Sequence, residues 1–167
     1  PSRWKIGGDF LGIPGVIDER HPVENISWTV ADSVLGRFAL VLPTEAQWEC
    51  ACRAGTMTPW SSGAEPESLA GYGNVLDQTG QNVQPVWPGG ESFDDRYKGA
   101  APTGIYQPNA WGFHDMHGNM WELCLDPYRQ YPIDPRPGDG LRHGGFLGSN
   151  VFRGGGFSSP GADVRSA

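Results

Sequence analysis

Residues 115 to 123 read DMHGNMWEL, placing two carboxylates, a Gly-Asn pair and a tryptophan within nine positions. Gly118, Met120 and Glu122 alternate, so an extended backbone would present them to one side and Asn119 and Trp121 to the other. Backbone carbonyls from Gly118 and Met120, with the carboxylates of Asp115 and Glu122, form an all-oxygen donor set. Calcium prefers that chemistry and takes about 6–8 oxygens. A glycine at position 118 lets the chain turn tightly enough for the donors to converge. The same residues also read as a turn into an amphipathic strand, with Asp115 and Glu122 simply solvated. Zinc or iron would call for nitrogen or sulfur ligands at close spacing. His114 and His117 flank the turn and lie on no clear helix, so they read as surface or packing histidines.

Other reactive side chains lead to less. The odd set of Cys50, Cys52 and Cys124 fits neither a dense disulfide framework nor a CxxC zinc pair. Cys50 and Cys52 fall on different faces of a predicted helix and cannot share one metal. The cysteines read as small buried hydrophobes, with a Cys52–Cys124 or Cys50–Cys124 bridge left open. Ser158 and Ser159 have no adjacent histidine to activate them. GFSSPG is not a G-x-S-x-G nucleophile elbow. Asp115 and Glu122 make a weak glycosidase pair if metal binding occupies them.

The elements that must position these groups are few. NISWTVADSVLG (25 to 36) predicts a helix, with Ser27 as N-cap and Gly36 as the stop. FALVL (38 to 42) reads as a short buried strand. PTEAQWECACRAG (43 to 55) carries Thr44 followed by Gln47, a capping-box pattern, and ends at Gly55. Ala46, Cys50 and Arg53 line one side of that helix. Residues 111 to 125 alternate as a strand would, and VFRGGGF (151 to 157) and DVRSA (163 to 167) read as further short strands. The N-terminal stretch to Pro22 is irregular, 56 to 110 lack periodicity, and 126 to 140 form a proline-rich loop. So long a loop inside a compact domain calls for a function or an internal clamp.

Glycine (25) and proline (15) approach a quarter of the 167 residues, yet seven tryptophans and seven phenylalanines argue against disorder. The prediction is one α+β domain over 1–167, loop-rich, with two helices at about 27 to 35 and 44 to 54 and a short twisted sheet. A net charge of −7 without a basic cluster disfavours nucleic acid as a partner. No apolar run approaches the ~20 residues of a membrane-spanning helix. The chain opens at Pro1 without methionine, which leaves targeting open.

Three long stretches, in order, carry a family resemblance: HPVENISW (21 to 28), LPTEAQWECACRAGT (42 to 56) and APTGIYQPNAWGFHDMHGNMWELCLDPY (101 to 128). With FRGGGF and VRSA near the end and PSRWK at the start, the chain resembles the formylglycine-generating enzyme, or sulfatase-modifying factor, family. The resemblance implies a variant of the C-type lectin fold with little regular secondary structure. Against the family pattern the chain looks cut at both ends. It also implies two calcium sites. One takes side-chain oxygens of Asn74 and Asp95 and carbonyls of Val75 and Tyr97. The other uses Asp115, Gly118, Met120 and Glu122, with Asp115 in place of the usual asparagine.

The family's oxidases, by the same resemblance, bind copper through two cysteines placed between the Gly-Gly-Ser-aromatic turn and the last strand. Here that interval is GGGFSSPGADVRSA (154 to 167), without cysteine, and Ser159 takes the approximate place of the first thiol. A serine hydroxyl cannot form a soft Cu(I) thiolate site, so copper is not expected. The reading is a noncatalytic, calcium-stabilised domain that presents loops to a protein or peptide, with a shallow groove beside Trp111, Phe157 and Ser159. The rivals are a copper-dependent formylglycine-generating oxidase and a lectin-like binder diversified in its last strand. Residues 151 to 167 contain no asparagine, which weakens the last.

Overall fold

A computed structural model describes residues 9–10, 13–14, 17–83, 89–128, 134–142 and 149–167 of the chain. Short β1 (Asp9–Phe10) and β2 (Ile13–Pro14) pair antiparallel within the N-terminal stretch that lacks periodicity.

Helix α1 runs Trp28–Gly36 and begins at Ser27, whose hydroxyl accepts from the Val30 amide at 3.3 Å. Ala31 is its buried contact, and the Trp28 indole N–H reaches the Cys124 carbonyl at 2.9 Å. The segment after it is not the buried strand expected from FALVL. Phe38 is 71% and Val41 78% exposed, and only Leu42 is buried. The amides of Phe38, Ala39 and Leu40 turn back onto the carbonyls of Leu35 and Gly36. Ala39 is left-handed at φ +56°, so the backbone is used up closing the helix and pairs with no strand.

Helix α2, Glu45–Arg53, starts in a complete capping box between Thr44 and Gln47, with bonds of 3.2 and 2.9 Å. The left-handed residue that ends it is Ala54 (φ +47°), one before the expected Gly55. Glu45, Trp48 and Cys52 form the buried face. Cys50 is exposed, which corrects its reading as a buried hydrophobe. From a distant loop, the Asn109 amide donates to the Ala51 and Cys52 carbonyls at 2.7 and 3.2 Å, satisfying groups at the helix end.

Helix α2 packs on an antiparallel ladder of β3 (Glu122–Pro127) and β4 (Asn150–Arg153). Glu122 pairs with Arg153 and Leu123 with Phe152. Trp48, Cys52, Met116, Cys124 and Val151 form the core between them. A second cluster, Trp60, Leu69, Val75 and Val164, lies under the long loops. Those loops contain a short helix α3 (Gln78–Val83) and a 3-10 turn at Pro66–Leu69, neither expected from the sequence.

Two predicted strands shorten and a third is lost. The strand expected over 111 to 125 begins only at Glu122, because Asp115 (φ +58°), Gly118 (+84°) and Asn119 (+61°) are left-handed. That over 151 to 157 stops at Arg153, before left-handed Gly154 and Gly155. That over 163 to 167 is replaced by a 3-10 turn at Gly161–Asp163 and an irregular end. Parts of the 126 to 140 loop lie outside the described residues, as does most of the stretch before residue 17. No helix among the described residues is long and apolar enough to cross a membrane.

Candidate metal centres and binding groove

The stretches around Asn74 and Asp115 to Glu122 are stitched together. Asn74 and Gly118 bridge in parallel, and the Asn119 amide donates to the Asn74 carbonyl at 2.7 Å. A Cβ on Gly118 would stand 1.9 Å from that carbonyl oxygen, so only glycine admits the approach. The Asn119 side chain accepts from Asn74 Nδ2 (3.1 Å) and the Ala101 amide (2.8 Å) and donates to the Ala101 carbonyl (3.1 Å). One buried asparagine thereby holds three loops in register.

Asn74 is fully buried, with Nδ2 on the Gly99 carbonyl at 2.9 Å. Its Oδ1 has no hydrogen-bond partner among the described residues. The neighbouring Val75 amide donates to Asp95 Oδ2 at 2.9 Å, and the Tyr97 amide to Asp95 Oδ1 at 2.8 Å. The expected set Asn74, Val75, Asp95 and Tyr97 is therefore brought into one loop cluster. Asp77 and Asp94 join it, although the sequence reading passed over both. Oxygens of Asp77, Asp94 and Asp95 all lie within 4.8 Å of one another, the one such group of His, Cys, Asp or Glu among the described residues. Burial pushes the Asp95 carboxyl up to about 7, and the charges of Asp77 and Asp94 add to the rise. Spacing could not reveal this group, because helix α3 and the loop behind it separate Asp77 from Asp94.

At the second set, Asp115 Oδ2 accepts from the Gly104 amide at 2.7 Å, while its buried Oδ1 has no partner among the described residues. Glu122 takes the Trp48 indole N–H on one oxygen. Burial raises the Glu122 carboxyl above its usual range against that bond, and the Asp115 charge raises it further. Asp115, Gly118 and Asn119 are left-handed, so the stretch does not keep the extended alternation predicted for 118 to 122. Both sets are all-oxygen, contain buried carboxyls and hold one orphaned buried oxygen each. A hard divalent cation fits such a donor set.

The nitrogen and sulfur atoms are otherwise engaged. His117 is 2% exposed; Nδ1 faces the Val164 carbonyl at 2.8 Å, so it carries the proton, and Nε2 accepts from the Ser61 amide and hydroxyl at 3.1 and 2.9 Å. Burial lowers its pKa and keeps it neutral. Cys52 Sγ lies 3.9 Å from both ring nitrogens. At that range the thiol makes no strong hydrogen bond to either nitrogen. All three cysteines are free; burial pushes Cys52 up to about 11 and Cys124 to about 12. We expect one thiol, Cys50, to react rapidly with a disulfide reagent in the native protein, and all three after denaturation. Fast native reaction of two or three thiols would contradict these burials.

Of Trp111, Phe157 and Ser159, expected beside a shallow groove, Trp111 and Ser159 are tied into different turns. Ser159 is buried in a turn, its hydroxyl accepting from the Gly156 amide at 3.1 Å. Trp111 belongs to a separate loop, where Asn109 Oδ1 takes the Trp111 and Phe113 amides at 3.0 and 3.1 Å. A groove of about 240 Å³ instead runs along Trp121, Arg153, Gly154, Asp163 and Arg165. Trp121 is 51% exposed there.

The family model described as a sulfatase-modifying factor enzyme 1-like domain matches residues 8–167. A formylglycine-generating enzyme from Streptomyces coelicolor is 32% identical over 158 residues, covering 83% of this chain and 45% of that protein. An inactive C-alpha-formylglycine-generating enzyme 2 from Bos taurus is 30% identical over 120 residues, covering 69% of this chain and 35% of that protein. Among solved structures, Treponema denticola variable protein 1 superposes with a TM-score of 0.69 over 99% of this chain and 69% of its own, at 20% identity. The chain thus spans less than half the length of the curated relatives it matches.

Proposed function

This chain belongs to the sulfatase-modifying factor enzyme 1-like family, and from that membership we propose that it is a noncatalytic, calcium-stabilised domain that presents loops to a protein or peptide partner. The observation that carries the calcium reading is the pair of orphaned buried oxygens, Asn74 Oδ1 and Asp115 Oδ1, one in each donor set. A buried polar atom without a partner costs on the order of 1–3 kcal/mol, which a bound cation would offset. Asn74, Val75, Asp95 and Tyr97 would hold one ion, and Asp115, Gly118, Met120 and Glu122 the other. Calcium supplies charge neutralisation and cross-linking there. The chain's part is to converge oxygens from long loops that also pack on the Trp60, Leu69, Val75 and Val164 cluster. Elemental analysis after gel filtration in calcium should give two ions per chain. Asp95→Asn and Glu122→Gln should each remove one. Retention of none by the native chain would end this reading.

The lack of chemistry is supported by the interval 154 to 167, which holds no thiol, and by the burial of Cys52 and Cys124 elsewhere. One relative, 30% identical, bears a name that marks it inactive. The second reading, a copper-dependent formylglycine-generating oxidase, draws on the 32% identity to an enzyme of that name. Incubation with a cysteine-containing sulfatase-type peptide, copper and reductant separates them. We expect no conversion of thiol to aldehyde by mass spectrometry, and copper-dependent turnover would reverse the assignment. A partner would bind, on this reading, at the Trp121 groove, where tryptophan and arginine, the residue types that dominate interface energetics, stand together.

A further inference from the structure

We propose that the outer face of α1, with the segment that follows it, is the seam of a dimer in which a second copy of this chain lies antiparallel across it. Half of the exposed large hydrophobic side chains among the described residues fall within positions 23 to 41. Ile26, Val30, Val34 and Phe38 recur every four residues, so they form one stripe along the helix and its two ends. Ala31 is buried and the Trp28 indole reaches the Cys124 carbonyl, so the helix docks on its own chain through another side. The amides of Phe38 and Leu40 both return to the Leu35 carbonyl, which folds the chain back on the last turn. Exposed Leu40 and Val41 therefore adjoin the end of the stripe.

Size and charge select the occupant. The six side chains are between 40% and 78% exposed. Together they present roughly 600 Å² per copy, the upper end of what a monomer leaves in water. Two copies would bury on the order of 1,200 Å², which reaches the size of a specific interface. An antiparallel arrangement about Val30 sets Ile26 of each copy against Val34 of the other, apolar against apolar. It also sets exposed Arg37, the C-cap of α1, at the Glu24 end of the second copy. Both copies make that pairing of opposite charges at once, as a two-fold contact requires. A parallel arrangement would set Arg37 against Arg37. None of these residues lines the Trp121 groove or belongs to either calcium set, so the seam stands apart from both.

The test is sedimentation equilibrium of the full chain across a wide range of concentration. We expect a reversible equilibrium between monomer and dimer, with no larger species. Val34→Asp should weaken the dimer by roughly tenfold to a hundredfold, because the seam would bury a new carboxylate in each copy. Val34 is already half-exposed, so the monomer tolerates the change, and circular dichroism of the diluted variant checks the fold. Arg37→Glu should also weaken the dimer, and adding Glu24→Lys to it should restore it, as an antiparallel second copy requires. A parent that stays monomeric at the highest concentration overturns the proposal. Its sedimentation with anionic lipid vesicles would then assign the face to a membrane surface. A dimer that neither Val34→Asp nor Phe38→Ser weakens, open-ended association, or a folded double charge variant without rescue overturns it equally.

Discussion

Excess chelator is expected to lower the melting temperature of the native chain by roughly 5–10 °C for each calcium site emptied. An ion at a hundredfold excess over its dissociation constant stabilises the native state by about 2.7 kcal/mol. Each kcal/mol corresponds to about 2–4 °C for a chain of this size. Glu122→Gln is the informative variant, because the amide oxygen can still accept the Trp48 indole N–H while the charge is gone. It should abolish one increment, and its combination with Asp95→Asn should abolish both. The increment should also depend on pH. Without calcium, the Asp95 carboxyl titrates near 7 in the folded chain and near 3.9 when unfolded. The folded state therefore binds the extra proton, and this stability is lost as pH rises from about 4 through about 7. Calcium replaces that proton, so its effect should be larger at pH 8 than at pH 5. Identical melting curves with and without chelator at pH 8 would sink the prediction.

What was legible in the sequence lay in contiguous residues. Ser27 and the Thr44–Gln47 box are local signals, because a cap and its target amide are three residues apart, and both helices start where those signals say. Of the residues expected to hold calcium, Val75 and Tyr97 meet Asp95 through their amides, a contact decided by the path of the loop and implied in the sequence only by resemblance. What failed was decided over distance. FALVL has the composition of a strand, but composition does not say whether a partner edge is available, and its amides return to α1. Alternation over 111 to 121 mimicked a strand until left-handed Asp115 and Asn119 intervened, and asparagine and aspartate tolerate that conformation without announcing it. Asp77 reaches Asp94 only through the path of the intervening loop. Ser159, expected beside a groove, is buried, and its hydroxyl and carbonyl are both taken by other backbone amides.

Glu45→Gln is expected to cost about 3–5 kcal/mol, more than any surface charge in the chain. Glu45 is 5% exposed, and its carboxylate pairs with both Arg142 and Arg153. Its own amide donates to Asp126 Oδ2 at 2.7 Å, and the Arg142 amide donates to Asp126 Oδ1 at 2.8 Å. The Thr44 hydroxyl donates to the Asp139 carbonyl at 2.7 Å, so the start of α2 is fastened to the 134–142 segment and to β4 together. A glutamate in the first turn also faces the positive end of the helix dipole. Removing its charge leaves two largely buried guanidinium groups without their shared counter-ion, and breaking a buried pair in this way costs about 3–5 kcal/mol. The comparison is Glu49→Gln, which breaks a half-exposed i,i+4 pair with Arg53 and should cost at most a few tenths of a kcal/mol. Urea denaturation with an unchanged m-value reads both. The clamp also bears on binding, since Arg153 lines the Trp121 groove and is one of the two arginines that Glu45 pairs. If Glu45→Gln unfolds within 1 kcal/mol of the parent, the two arginines are being held by other contacts, and the groove's geometry does not depend on this carboxylate.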